Sequence, residues 1–156
     1  MRQSGFFAKT LKETPKDEVT RSAILLQRAG FSAKLMSGVY AYLPLGFKTL
    51  KKIENIIREE VEKIGGEEMF MPALQPKELW DKTGRWEIFS GVMYQFKDNS
   101  KKEIGLAPTH EEVVMNIAKK YISSYADLPK AVYHIQTKFR DEPRARSGLI
   151  RAREFL

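Results

Sequence analysis

Residues 136–156, QTKFRDEPRARSGLIRAREFL, decide the fold expected of this chain. Two runs of alternating polar and apolar residues flank a loop that contains Pro143 and Gly148, a pattern typical of an antiparallel hairpin. On the first strand, alternation places four polar side chains on one face: Gln136, Lys138, Arg140 and Glu142. On the returning strand, one face carries Arg151, Arg153 and Phe155. The sequence therefore predicts a hairpin with a basic, partly aromatic face.

The charge of this hairpin favours a phosphate-bearing partner. It contains six basic and three acidic residues, so it carries +3 of the whole chain's +7. A guanidinium on a rigid strand can present its planar fork to phosphate or carboxylate oxygens, and an aromatic ring nearby can stack on a base. Spacing alone is equally consistent with a nucleotide platform and with a solvated basic hairpin, so both interpretations stay open.

The rest of the chain alternates predicted helices and strands. Helices are predicted for residues 14–29, from Phe47 to Ile64 and from Thr109 to Tyr121, with short helical turns at 76–81 and 86–90. Strands are predicted for residues 67–71, 93–97, 103–107 and 131–142, and from Leu149 to the end. Strands joined by hairpins and interleaved with helices indicate an α+β fold with an antiparallel sheet, in one domain of 156 residues.

The second of these helices has the clearest amphipathic pattern. Apolar residues recur along it every three or four positions: Phe47, Leu50, Ile53, Ile57, Val61 and Ile64. Oppositely charged residues at (i, i+4) spacing support the helix, and the pair Gly65 and Gly66 ends it. The pattern predicts a long helix whose apolar stripe can pack on the core.

Composition excludes several classes of site. The chain contains no cysteine, which excludes a disulfide framework, a thiolate zinc site and a cysteine nucleophile, so no zinc is expected. Two histidines do not make a histidine-rich metal site. The excess of Lys and Arg over Asp and Glu does not distinguish ATP from RNA as a partner. No glycine-rich phosphate loop occurs, and Trp80 and Trp86 are expected in core or lid packing.

Membrane and export signals are also missing from the sequence. The longest uncharged apolar stretch, Leu35–Phe47, is too short to span a bilayer and is interrupted by glycine and proline. The first residues, MRQSGFFAKTLKE, lack the long apolar run of a secretory signal. We therefore expect a soluble, cytoplasmic protein without a membrane partner.

The segment Thr109-His110-Glu111-Glu112 fits two interpretations. As T-x-x-E before an apolar helix it matches a capping box, in which Glu112 reaches back to the cap, and the residues alone favour this structural interpretation. Alternatively, Thr109 and Glu111 offer a hydroxyl and a carboxylate to a small cationic group such as the ammonium of an amino acid. His110 and His134 have no evident catalytic partner and are interpreted as structural residues.

Several blocks of this sequence resemble the bacterial-type prolyl-tRNA synthetases, a family of class II aminoacyl-tRNA synthetases. They are Leu11-Lys12-Glu13-Thr14-Pro15, Arg28-Ala29-Gly30, Gly38-Val39-Tyr40, Leu43-Pro44-Leu45-Gly46, Gly84-Arg85-Trp86 and Gln136-Thr137-Lys138-Phe139-Arg140-Asp141-Glu142. In the family pattern, residues 46–72 resemble motif 1, residues 108–112 the T-x-E loop that recognises proline, and residues 136–156 motif 2. The resemblance covers residues 1–156 and implies the N-terminal part of one class II catalytic domain, an antiparallel sheet flanked by helices.

The resemblance implies ATP-dependent activation of proline to prolyl-adenylate and transfer of the prolyl group to tRNA(Pro). It implies that Thr109 and Glu111 bind proline, which places this interpretation above the capping box. It also implies that Arg140 is the catalytic residue, binding the α-phosphate and the proline carboxylate. The other ATP-binding residues implied are Glu142 at the adenine amino group, Arg151 at the distal phosphates and Phe155 stacked on the adenine. Mg²⁺ would accompany ATP, with no ligand identifiable from the motif.

The sequence ends at Leu156, inside motif 2. Motif 3, any editing insertion and the anticodon-binding domain are therefore expected to lie outside it, which leaves the sheet incomplete. Full aminoacylation is expected to need those parts, and motif 1 implies a homodimer. A second interpretation, from another functional class, is a non-catalytic dimerising module derived from a synthetase that binds a nucleotide or RNA. Proline-dependent pyrophosphate exchange distinguishes the two.

Overall fold

The computed structural model describes residues 3–16, 18–145 and 147–156. The chain divides into two compact units. The first comprises Met1–Glu60 and Glu142–Glu154, and the second comprises Val61–Asp141 and Phe155–Leu156. Arg146, in the loop of the predicted final hairpin, lies outside the described residues. Among the helices of the described part, none combines the length and the apolar character that crossing a bilayer requires.

The first unit is built on two helices and a hairpin. Its elements are α1 (Arg21–Arg28), β1 (Ser32–Met36), β2 (Val39–Tyr42) and α2 (Pro44–Lys63), whose last turn belongs to the second unit, together with 3₁₀ turns at Gln3–Gly5 and Gly148–Ile150. β1 and β2 pair antiparallel, with Ser32 opposite Tyr42 and Lys34 opposite Tyr40. The apolar residues Val39–Tyr42, shortly before α2, therefore form the second strand of a hairpin.

The predicted start of the first helix at Thr14 is wrong. Helix α1 begins at Arg21, and Val19, which lies within the predicted helix, is outside α1 and 95% exposed. The cause is a tertiary contact of Glu18, whose buried carboxylate accepts a hydrogen bond from Tyr40 Oη at 2.7 Å and lies 3.4 Å from Lys34 Nζ. This contact ties the segment before α1 to the hairpin, so propensity alone does not decide where the helix starts. Burial, with Glu18 beside it, raises the pKa of Tyr40.

The long amphipathic helix is confirmed as α2. Its buried side chain, however, is a charged one: Glu54, which accepts hydrogen bonds from Lys51 Nζ at 2.7 Å and Arg58 Nη1 at 3.4 Å. Four residues of the apolar stripe are exposed in the single chain: Phe47, Ile53, Ile57 and Ile64. The stripe is therefore largely unpacked within this chain.

The second unit combines short strands with three helices. Its elements are β3 (Gly66–Glu68), β4 (Leu74–Pro76), α3 (Lys77–Asp81), α4 (Arg85–Ile88), β5 (Gln95–Lys97), β6 (Glu103–Leu106), α5 (Glu111–Tyr121), a 3₁₀ turn at Tyr125–Asp127, β7 (Ala131–Tyr133) and β8 (Lys138–Phe139). β4, β6 and β5 form an antiparallel sheet, in which the predicted hairpin of β5 and β6 is confirmed. β8 pairs with β9 (Glu154–Phe155), the strand that carries Phe155.

Three strands differ from the sequence prediction. β3 pairs with β7 in parallel, because a long connection lets the chain return in the same direction. The predicted strand over 131–142 is divided into β7 and β8, since its backbone groups bond to different neighbours in turn: Tyr133 O accepts from Met69 N, and Phe139 N donates to Ala107 O. The final strand, predicted from Leu149, is reduced to β9 after a 3₁₀ turn.

The core of the second unit is aromatic. Trp80, Trp86 and Met93 are buried together, and Phe89 packs against them with its ring centroid 5.1 Å from that of Trp80. Burying rings of this size dominates the stability of a small core. The expectation that both tryptophans serve in packing is confirmed.

Candidate active site

In the second unit, the segment before α5 is bonded to strand β8 and to the residue that follows that strand. Phe139 N donates to Ala107 O at 2.9 Å, and Arg140 Nε donates to Pro108 O at 3.2 Å. Both Ala107 and Pro108 are buried, so these carbonyls depend on protein donors. These two hydrogen bonds hold the backbone before Thr109 beside Arg140 Nε.

Thr109 is held from a second side by a residue that the sequence analysis missed. Gln75 is almost completely buried and uses both ends of its amide: Nε2 donates to Thr109 O at 3.0 Å, and Oε1 accepts from Trp80 Nε1 at 2.9 Å. The aromatic core therefore fixes the backbone of Thr109 through one hydrogen-bonded side chain. No spacing in the sequence marks Gln75, because its partners come from separate segments.

His110 is a fully buried residue of the same segment. Gln136 Nε2 lies 3.0 Å from His110 Nε2, and the amide of Gln136 also exchanges hydrogen bonds with Met71 N at 2.9 Å and Met71 O at 2.7 Å. Since an amide nitrogen only donates, the histidine nitrogen accepts, and the network assigns a neutral imidazole. Burial, followed by the charges of His134 and Lys138, lowers the pKa of His110 to about 4.

The capping-box interpretation of Thr109 and Glu112 is wrong. His110 occupies the position before α5, and no side chain caps the helix there. Glu112, whose side chain is 2% exposed, instead accepts a 2.6 Å hydrogen bond from Arg85 Nη1. An ion pair for a buried carboxylate outweighs a cap bond, because an unpaired buried charge is far costlier than an uncapped helix end.

Glu111 lies in the first turn of α5 and is 70% exposed. A carboxylate in this position is stabilised by the positive end of the helix dipole. Its Oε2 also lies 3.3 Å from Arg85 Nη1. The structure therefore places an accessible, anionic acceptor directly after the fixed segment that contains Thr109.

Arg140 and Phe155 lie on the same side of the paired strands β8 and β9. The guanidinium carbon of Arg140 is 5.1 Å from the centroid of the Phe155 ring, within the range of a cation–π contact. The contact agrees with the predicted hairpin whose face is basic and partly aromatic. The second unit thus links Thr109, Glu111, Arg140 and Phe155 through the 107–110 segment.

The first unit contains the other two predicted site residues as an ion pair. Arg151 Nε and Nη2 both donate to Glu142 Oε2, at 3.0 and 2.7 Å, and Arg153 Nε donates to Glu142 O at 3.0 Å. Gly38, at the turn between β1 and β2, supports this region, because its O accepts from Arg153 N at 2.7 Å. A Cβ at Gly38 would lie 2.7 Å from Ala145 Cβ, and its φ is +77°, so glycine is required there.

Comparison with known proteins shows what the sequence and the fold of this chain are similar to. Residues 94–156 match the model of the tRNA synthetase class II core domain (G, H, P, S and T). The crystal structure of the RNA binding domain of threonyl-tRNA synthetase from Cryptosporidium parvum Iowa II is similar, with a TM-score of 0.79 and 26% identity over 85% of this chain and 34% of that chain. The chain therefore contains part of a class II aminoacyl-tRNA synthetase core domain.

Within that class, the chain is related along its whole length to the prolyl-tRNA synthetases. It is 55% identical over 100% of its length to the proline--tRNA ligase of Coprothermobacter proteolyticus, and 53% identical over 99% to that of Fusobacterium nucleatum. It spans 28% and 27% of these relatives' lengths. The Giardia lamblia prolyl-tRNA synthetase in complex with prolyl-adenylate has the same fold, with a TM-score of 0.75 and 24% identity over 83% of this chain and 28% of that chain.

The low pKa of His110 predicts a stability loss in acid. The folded protein favours the neutral imidazole, so the unfolded chain takes up the proton first as pH falls below the ordinary value of 6.5. The contribution of the neutral His110 to the free energy of unfolding is complete above pH 6.5. It is lost as the pH falls from 6.5 to about 4. Since one pKa unit corresponds to about 1.4 kcal/mol, the loss is on the order of 3 kcal/mol. Urea unfolding at several pH values measures it.

Two variants separate this effect from general acid destabilisation. His110→Gln removes the titrating group, so its stability should change much less between pH 6.5 and 4. His134→Gln keeps His110, whose pKa is lowered mainly by burial, and should retain most of the pH dependence. Equal slopes in the two variants would contradict the assignment to His110.

Proposed function

We propose that this chain acts, as part of a longer protein, in a proline--tRNA ligase that activates proline with ATP to prolyl-adenylate and transfers the prolyl group to tRNA(Pro). The observation that carries the proposal is its identity of 50–55% with several proline--tRNA ligases over essentially its whole length. The contact of Arg140 with Phe155, which puts a cation and a stacking surface side by side, supports the same conclusion. We place this activity in the cytoplasm, where protein synthesis takes place.

Proline is held by Thr109 and Glu111 in this proposal. The ring nitrogen of proline is a secondary ammonium, which needs an anionic acceptor and gains most from one that does not have to reorganise. Glu111 supplies an exposed carboxylate at the start of α5, and the backbone of Thr109 is fixed by Gln75. These two residues therefore decide the choice of amino acid.

Arg140 carries the chemical step in this proposal. The proline carboxylate attacks the α-phosphate in line and pyrophosphate leaves, so no protein nucleophile is needed and the barrier falls by positioning and by neutralising charge. The Arg140 guanidinium binds both anions. Its bond to Pro108 O fixes it before substrates arrive, which removes a reorganisation cost from the reaction.

The remaining ATP contacts come from three residues. Phe155 stacks on the adenine, Glu142 accepts a hydrogen bond from the adenine amino group, and Arg151 binds the distal phosphates. The two-point contact of Arg151 with Glu142 supports these roles, because it orients both side chains in advance. Mg²⁺ enters with ATP as part of the substrate. Within the described residues no three His, Asp or Glu side chains form a metal site, so we assign the ion no ligand.

We also propose that the intact protein is a homodimer that buries the exposed stripe of α2. The exposure of Phe47, Ile53 and Ile57 supports this, since contiguous exposed apolar side chains on one helix face are typical of an interface. The alternative is that other parts of the longer protein cover the stripe.

Glu111→Gln tests the proline contact. In the full-length protein, the variant should raise the proline KM in proline-dependent pyrophosphate exchange by roughly 10- to 100-fold, because a charge-assisted bond is worth ~1.5–3 kcal/mol. The ATP KM should change little. The control Glu78→Gln removes an exposed carboxylate from α3 and should change neither value. Absence of proline-dependent exchange in the unmodified protein would instead favour a non-catalytic binding module.

Arg140→Ala tests the chemical step. Loss of one transition-state donor should lower the exchange rate by about 10²–10³ at saturating substrates. Phe155→Leu should mainly raise the ATP KM, because it removes a stacking surface and no charge. Arg21→Ala, which removes an exposed arginine from α1, serves as the control. A rate within a few-fold of the unmodified protein for Arg140→Ala would remove Arg140 from the mechanism.

Ile57→Glu tests the dimer. The unmodified full-length protein should sediment as a dimer, and the variant should be a folded monomer, because a charge on the stripe cannot be buried without a partner. Asn55→Glu places the same charge on the exposed opposite side of α2 and should remain dimeric. A monomeric mass for the unmodified protein would exclude the interface.

A further inference from the structure

We propose that Arg85 is a positioning residue for Glu111: its guanidinium holds the Glu111 carboxylate in the orientation in which it accepts the ammonium of proline. The inference rests on the proposed function and adds a residue to it. Arg85 begins helix α4 directly after Gly84, whose φ of 66° places that backbone in the left-handed region.

Arg85 is a fixed cation. Its Nη1 donates to Glu112 Oε1 at 2.6 Å, and the Glu112 side chain is 2% exposed. Its guanidinium carbon lies 4.7 Å from the centroid of the Phe89 ring and 5.7 Å from that of Trp80. Since a buried carboxylate and two core rings hold the guanidinium, its position is set by the core of the second unit.

The same nitrogen of Arg85 reaches Glu111. Arg85 Nη1 lies 3.3 Å from Glu111 Oε2, on a side chain that is otherwise exposed to solvent. An exposed glutamate samples several rotamers, and a fixed donor on one carboxylate oxygen restricts them while the second oxygen stays accessible. Ordering the side chain in advance lowers the entropy cost of binding a ligand.

The space beside this contact is open to a small ligand. Glu111 and Arg85 line a cleft of about 270 Å³ together with Leu79 and Met115. The exposed Lys82 and Lys119 line it as well, so Arg85 is distinguished from them by its fixed position and not by its charge. The carboxylate that Arg85 holds is therefore accessible from this cleft.

Arg85→Lys in the full-length protein separates positioning from charge neutralisation. Lysine keeps a cation for the buried carboxylate of Glu112, but it lacks the planar guanidinium that packs against the Phe89 ring and so does not hold its donor fixed beside Glu111. The proline KM in pyrophosphate exchange should rise about five- to tenfold, the scale of ordering one long side chain. The ATP KM and the rate at saturating proline should stay within twofold.

A double variant covers the case in which lysine disturbs the fold. Arg85→Met combined with Glu112→Gln removes both members of the buried ion pair, so no unpaired charge stays in the core. It should show the same rise in the proline KM. The matched control is Lys77→Met, which removes a cation 5.8 Å from the neighbouring Trp86 ring and an ion pair of 2.9 Å with Glu103. This control should leave the proline KM unchanged.

Combining Arg85→Lys with Glu111→Gln tests whether Arg85 acts through Glu111. If Arg85 acts through Glu111, Arg85→Lys should add no further rise in the proline KM in that background. A full additional rise, an equal rise in the KM for ATP, or an unchanged proline KM in both Arg85 variants would overturn the proposal. Failure of the proposed function itself has a different signature, which is the absence of proline-dependent pyrophosphate exchange in the unmodified protein.

Discussion

The buried amide of Gln136 is the contact on which the second unit depends most. It bonds to both backbone groups of Met71 and to the ring of His110. It therefore joins three segments that are remote in sequence: the chain after β3, the loop before α5 and the segment between β7 and β8. Because the amide is buried, losing any of these bonds would leave polar groups unsatisfied. The position of Arg140 relative to Thr109 follows from this junction.

Charged side chains are buried repeatedly in this chain, each beside a cation. Glu18 lies beside Lys34, Glu54 accepts from Lys51, and Glu112 accepts from Arg85. Pairs of this kind add little net stability, since desolvating the two charges offsets their attraction. Breaking one of them is costly, however, so each pair restricts the packing of its segment. The pair of Glu112 has a further consequence, because it fixes a cation at the edge of the candidate site.

The sequence was sufficient for elements that local periodicity defines. The stripe from Phe47 to Ile64 predicted α2, and the polar turn between β5 and β6 predicted their hairpin. It was insufficient where a tertiary contact competes with local propensity. Helix α1 begins at Arg21 and not at Thr14, because Glu18 accepts a hydrogen bond from Tyr40. The strand expected over 131–142 is divided because its hydrogen-bond partners change along its length.

In the candidate site, too, the sequence indicated some residues and gave no sign of others. The types and the alternation of Arg140 and Phe155 suggested that they could converge, and the structure has them in contact. Gln75 and Arg85 had no assigned role before the structure, because their partners lie 34 and 27 residues away along the chain. Side chains that hold other side chains in place follow no periodic pattern, so their contribution is visible only when the fold brings the segments together.

Positioning residues matter especially in the proposed reaction. A reaction without a protein nucleophile depends on donors that already face the developing charge, so its rate is sensitive to small displacements of those donors. The described residues occupy one of the five N–H donors of Arg140 with Pro108 O, which leaves the others for anionic ligands. The loop that receives this bond is itself held by Gln75 and Gln136. The position of the Arg140 guanidinium is therefore set by the neutral, buried amides of Gln75 and Gln136.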